Sequence, residues 1–168
     1  MGVYTSIITE FKNRIDTAMQ SGNLLDDVVN FQIGNKLQND GTNSFPKLVL
    51  NASSSFISET FEACSANKKE ADVGLVLTVL CRTTGTGSDN FYFDGTNGIL
   101  PLIERVLDVI SSKTDGSLDP RLLQYGRKSS VISVGSISTY QDDIVYCDIN
   151  LTLNIKDFVI NNRREEWK

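Results

Sequence analysis

The sequence predicts an α+β fold, a mainly antiparallel four-stranded sheet packed against two helices, with a long C-terminal β-hairpin. Three observations lead there. Residues 145 to 155 alternate without a break, with Val145, Cys147, Ile149, Leu151, Leu153 and Ile155 on one side and Tyr146, Asp148, Asn150, Thr152 and Asn154 on the other, which is the period of a half-buried strand. Two other segments repeat apolar residues at helical spacing. The periodic segments run in the order helix, strand, strand, helix, strand, strand. At roughly 3.3 Å per residue the alternating strand reaches about 36 Å, longer than the usual five or six residues. The sheet is therefore expected to be tall, with one face wet or reserved for a partner. A chain of 168 residues is normally one domain; residues 1–160 are assigned to it, and residues 161–168 to a charged tail.

The first helix is marked by Tyr4, Ile7, Ile8, Phe11, Ile15 and Ala18, with Glu10, Lys12, Asn13, Arg14 and Asp16 between them. Ser21-Gly22-Asn23 supplies its stop, Gly22 being free to take the left-handed conformation. Residues 23–45 read as a short helix or irregular stretch followed by an exposed turn at Asn39-Asp40-Gly41-Thr42-Asn43-Ser44. Pro46 opens a strand through Leu48, Val49 and Leu50, and the polar segment Ser58 to Glu70 reads as a connection.

From Asp72 to Thr83 a second strand places Val73, Leu75, Leu77, Val79 and Cys81 on one face. Its other face, Gly74, Val76, Thr78, Leu80 and Arg82, is partly apolar, so this strand is expected in the middle of the sheet. Residues 84–98 form a polar loop or hairpin interrupted by Phe91-Tyr92-Phe93. Ile99, Ile103, Val106, Leu107 and Ile110 mark the second helix, which must begin near Gly98 because Pro101 is tolerated only in a first turn. Asp115-Gly116 ends that region and Ser117 to Lys128 reads as a basic loop. Strands over about 130–140 and 143–157 close the fold, joined at Gln141-Asp142-Asp143. The tail carries Arg163-Arg164, Glu165-Glu166 and Trp167.

Composition excludes several classes. There is no histidine, so Ser-His-Asp and Cys-His catalysis and imidazole metal ligation are ruled out. Cys64, Cys81 and Cys147 form an odd set without CxxC spacing, which argues against a disulfide framework or thiolate zinc site. Cys81 and Cys147 read as small core residues; Cys64 lies in a polar stretch. No apolar run approaches the ~20 residues needed to span a bilayer, and a soluble, cytosolically made protein is expected. Met1-Gly2-Val3-Tyr4-Thr5-Ser6 fits the short myristoylation template, and Asn51 and Asn150 fit glycosylation sequons; both patterns are discounted for such a chain. A net charge of −5 disfavours broad attraction to nucleic acid.

Other candidate chemistry has ordinary explanations. Gly85-Thr86-Gly87-Ser88 lacks the lysine of a phosphate loop, Asp89 and Asp94 miss the calcium-loop spacing and Asp142-Asp143 suits a solvated turn. Lys68-Lys69 and Arg127-Lys128 are small basic clusters of an ordinary surface. No catalytic, metal or cofactor-binding residue is therefore assigned. Phe91, Tyr92 and Phe93, three aromatics in a polar loop, either fold over the sheet or insert into a neighbour. Trp167 poses the same choice.

Taken over nearly the whole chain, the order YTSIITEFKNRI, DVGLVLTVLCRTT, GILPLIERVLDVI and VISVGSISTYQDDIVYCDINLTLNI resembles the tail terminator (tail completion) proteins of long-tailed bacteriophages. Segments 23–45 and 84–98 are longer than a minimal member needs. The resemblance implies a small α+β subunit of a hexameric ring that caps the tail tube and joins it to the head-completion or connector proteins, with DNA passing the lumen without specific binding and no membrane involved. It also implies a virion protein of the tail or neck, made in the host cytoplasm, with no cofactor. Six copies at −5 each would carry roughly −30, a repulsive lining for DNA wherever that charge faces inward. The expected contact residues are Phe91, Tyr92, Phe93, Asp148, Asn150, Thr152, Asn154 and Trp167. Two other classes fit the same residues: another phage neck or tail-tube protein, and a small cytosolic enzyme using Cys64 or the aspartates.

Overall fold

The computed structural model describes residues 3–34, 45–61, 68–82, 98–111, 131–140 and 144–159. Its elements are α1 (Val3–Ala18), β1 (Asn30–Ile33), β2 (Lys47–Phe61), β3 (Lys68–Arg82), α2 (Ile99–Ile110), β4 (Val131–Tyr140) and β5 (Ile144–Val159). The strands make one mixed sheet in the order β1-β2-β3-β5-β4, with β1 parallel to β2 and every other neighbour antiparallel.

In α1 the apolar spacing buries Ile7, Phe11 and Ile15, while Lys12 and Asp16, one turn apart, pair on the exposed side. The helix stops where the sequence indicates: Gly22 takes φ 83, and Asn23 Nδ2 donates to the Thr17 carbonyl at 2.7 Å. That bond satisfies one of the carbonyls a helix end leaves without an intrahelical partner. In α2, Pro101 lies in the first turn, and Ile99, Leu102, Ile103, Val106, Val109 and Ile110 are buried. Both helices share one core with Leu48 and Leu50 of β2, the Val73 to Cys81 face of β3 and the Val145 to Leu153 face of β5. Arg14 Nε ties the helices together by donating to the Val109 carbonyl at 2.5 Å.

Two expectations are corrected. Among the described residues the sheet has five strands, not four, and its mainly antiparallel pairing includes one parallel pair, because the 23–45 segment contains β1, in register with β2 from Asn30↔Lys47 to Ile33↔Leu50. Four residues are too few for a period to emerge from sequence, and a parallel partner becomes visible only in the folded chain. Likewise Ser58 to Glu70 is not simply a connection: β2 continues to Phe61 and β3 starts at Lys68, with Ser58↔Asp72, Thr60↔Glu70 and Phe61↔Lys69 in register. Backbone pairing carries these strands beyond the apolar pattern, since ladder hydrogen bonds need no particular side chain. The expected central position of β3 is what the strand order shows. The turn at 39–44, the connections over 84–97 and 112–130, and residues 141–143 lie outside the described residues.

Candidate functional site

Both helices cover one face of the sheet, and among the described residues no helix packs on the other. Pairing of β3 with β5 sets that second face two side chains at a time: Leu80↔Tyr146, Thr78↔Asp148, Val76↔Asn150, Gly74↔Thr152 and Asp72↔Asn154. Asp148, Asn150, Thr152 and Asn154 are thereby brought into a single row, as the alternation of β5 requires.

The row is less wet than the sequence suggests. Thr78, only 1% exposed, donates from Oγ1 to Asp148 Oδ1 at 2.5 Å, and Asn154, 8% exposed, donates from Nδ2 to Asp72 Oδ1 at 2.7 Å. Each carboxylate is held by the residue directly across the strands, which fixes its rotamer and orients its remaining acceptor sites. Asn150 and Thr152, between the two pairs, are exposed.

One irregularity shapes the same face. Pairing of β2 with β3 shifts register between Ala52 and Ile57, and the extra residues pass over Gly74. A Cβ at Gly74 would lie 2.2 Å from Ser53 Oγ and 2.7 Å from the Ser55 carbonyl oxygen, so only glycine allows this approach. Towards the start of β5 the face turns apolar: Val49, Leu80 and Ile144 are buried against Phe45 and Tyr146, and the Arg82 guanidinium lies 5.2 Å from the Phe45 ring centre. Tyr146, expected with the polar set, belongs to this patch.

Chemically, the face offers oriented hydrogen-bonding groups beside an apolar patch, not a reactive pair. Cys81 and Cys147 point into the core under the helices. Burial pushes the Cys81 thiol up to about 12, with Asp27 adding to the effect, and burial followed by Asp148 raises Cys147. Neither supplies a thiolate at neutral pH. Among the described residues no cluster of three or more acids or cysteines is disposed to hold a metal ion, and no helix is long and apolar enough to cross a membrane. A cleft of about 550 Å³ between the helices is lined by Glu10, Asn13, Arg14, Thr17, Ala18, Asn23, Leu24 and Val109; Arg14 and Thr17 both donate there to backbone carbonyls, the helix tie already described and the bond to Asn13.

Of the expected contact residues, Phe91, Tyr92, Phe93 and Trp167 lie outside the described residues, as do Cys64, Asp89, Asp94, Asp142 and Asp143. Sequence reasoning missed Asp72 and Thr78 as partners of the row and Ser53 and Ser55 as its lid over Gly74. The signals were present: a lone threonine among the apolar residues of a central strand, and a glycine inside a strand. No protein-family model matches the sequence, and no curated protein matches it.

Proposed function

We propose that the chain is a virion structural protein, a tail terminator subunit whose ring caps the tail tube of a long-tailed bacteriophage and joins it to the head-neck connector. The observation that carries the reading is the second face of the sheet. Among the described residues the helices lie on one side, and the other presents a tall ladder with two interstrand side-chain pairs, exposed Asn150 and Thr152 and an apolar end. Such a surface suits contact with a protein neighbour, because its polar groups are held in place before binding and little ordering entropy remains to be lost. The −5 charge per subunit supports a lumen that lets DNA pass without binding it. The long closing hairpin and the loop bearing Phe91, Tyr92 and Phe93 belong to the same proposal as contact elements, with the tube protein and a head-completion or connector protein as partners.

The test combines two measurements. Light scattering across protein and salt concentration reads the absolute mass, and addition to polymerising tail tubes reads their length. A closed hexamer that arrests tube growth is the expected result. Open-ended growth of the protein by itself identifies a tube subunit instead, and tubes that elongate unchanged in its presence refute the terminator reading.

A further inference from the structure

Strand β4 ends the sheet among the described residues: it pairs with β5 along one side, and no described residue pairs with its other side. Its sequence does nothing to protect that edge. An exposed edge is ordinarily blunted by lysine or proline, because its outward N–H and C=O groups recruit other strands, yet β4 reads VISVGSISTY. In a chain with 22% charged residues a ten-residue strand would carry about two charges, and β4 carries none. Val131 and Val134 are 58% and 45% exposed.

The strand also suits a second copy of itself. Each copy has a net charge of −5, so two copies approach most easily through uncharged surface, which β4 supplies. Ile132 and Val134, in register with Leu151 and Ile149, lie on the helix-covered face, where Ile132 already packs against the core. Two copies of β4 related by a two-fold axis normal to the sheet run antiparallel, the more stable ladder, and keep their helices on one side. Residues directly opposite each other in such a ladder share a face, so the axis must pass through a residue and not between two. With the axis at Ser133, Ile132 of each copy lies opposite Val134 of the other, which joins the two cores, and Ser133 faces its own counterpart. An axis at Ile132 would leave Val134 opposite position 130, outside the strand. Beyond Val134 the pairing of β4 with β5 shifts register, and a Cβ at Gly135 would lie 3.0 Å from the Asp148 carbonyl oxygen, so the regular ladder is the stretch about Ser133.

We propose that two copies of this chain join edge to edge through β4, antiparallel about a two-fold axis at Ser133. The contact is isologous and closes at two copies, whereas a ring needs a heterologous contact. The inference therefore goes beyond the ring reading and does not rest on it; a hexamer that includes this contact is built from such pairs.

Two variants at the axis test it, Ser133→Lys and Ser133→Glu. Ser133 is exposed, so the folded monomer accepts a charge there, while the pair would set two like charges directly opposite each other. Mass is read by light scattering and fold by circular dichroism. The wild-type protein is expected at an even multiple of 18.6 kDa and each variant at half the wild-type mass or less. Their equimolar mixture should return to the wild-type mass, since lysine then faces glutamate.

Variants that keep the wild-type mass overturn the proposal. So does a mixture of dissociated variants that stays dissociated, because a contact between β4 and a different patch is broken by either charge and is not restored by mixing. A wild-type protein of single-copy mass at every concentration also overturns it, and the tube-length measurement then judges the ring reading separately. If a charged variant loses its fold, Ser133→Cys in a Cys64→Ser background replaces it. Oxidation should link that protein into covalent pairs, which Cβ atoms about 5 Å apart across an antiparallel pair allow, and a product that stays at 18.6 kDa on a denaturing gel overturns the proposal.

Discussion

Replacing Arg105 by alanine should destabilise the fold by about 2–3 kcal/mol, through loss of the tie between α2 and the turn that delivers β1. Arg105 Nη1 donates to Asp27 Oδ1 at 2.6 Å and Nη2 to Oδ2 at 2.9 Å, a bidentate fork, and Nη1 also reaches the Leu24 carbonyl at 3.1 Å. The side chains of Arg105 and Asp27 are 20% and 27% exposed, which places the pair between a buried ion pair and a surface one. The hydrogen bonding of Arg105 to Asp27 is the first cause of the rise in the Arg105 pKa, so attraction outweighs the cost of burying the guanidinium.

Two unit charges about 4 Å apart gain roughly 4 kcal/mol at an effective dielectric near 20. Desolvation and side-chain ordering offset half or more of that, leaving a coupling of about 1–2 kcal/mol. The single variant loses more than the coupling because the half-buried Asp27 carboxylate and the Leu24 carbonyl both lose this donor. Urea unfolding of Arg105→Ala, Asp27→Ala and the double variant closes a double-mutant cycle. Coupling below about 0.5 kcal/mol, or coupling that disappears in about 1 M salt, would refute the reasoning and reduce the pair to a screened surface contact.

Cys81 and Cys147 should resist a thiol reagent in the folded protein near neutral pH and react once it is unfolded; fast reaction without unfolding would contradict their burial. With its folded pKa raised from 9.0 to about 12, Cys81 keeps its proton in the folded state where the unfolded chain loses it. Its contribution to stability is therefore fully present below pH 9 and is lost as pH rises towards 12, at up to about 1.4 kcal/mol per pH unit. Urea midpoints compared with Cys81→Ala across that window should show the wild-type advantage shrinking, and a constant difference would count against it. Gly74→Ala should cost about 1–3 kcal/mol because its Cβ meets Ser53 Oγ at 2.2 Å and the Ser55 backbone oxygen at 2.7 Å; Ser53→Ala should restore only part of the loss, and a neutral Gly74→Ala would show that β2 does not cross there. Thr78→Val should cost about 1–2 kcal/mol by removing the donor to Asp148, with Thr78→Ser nearer to wild type; equal thermal midpoints for all three proteins would remove that bond from the account.

Much of the helix-covered half of the protein was legible in the sequence. The spacing of Ile7, Phe11 and Ile15, the early Pro101 of α2 and the unbroken alternation of β5 each follow from a local period, and a local period is written along the chain. So were the face shared by Asp148, Asn150, Thr152 and Asn154, and the core positions of Cys81 and Cys147.

What the tertiary structure alone decided depends on residues far apart in sequence. The partners of the polar row, Thr78 for Asp148 and Asp72 for Asn154, are set by the β3–β5 register, since a shift of one residue would send each to the opposite face. The four residues of β1 become a strand only because β2 offers them a parallel ladder, and β2 runs to Phe61 because β3 pairs with it beyond the apolar pattern. Tyr146 leaves the polar set because Phe45, Val49 and Leu80 gather around that end of the face. Side-chain period is a property of one strand, whereas register, strand order and edges belong to pairs of strands, and pairing is settled by the backbone hydrogen bonds and burial of the assembled sheet.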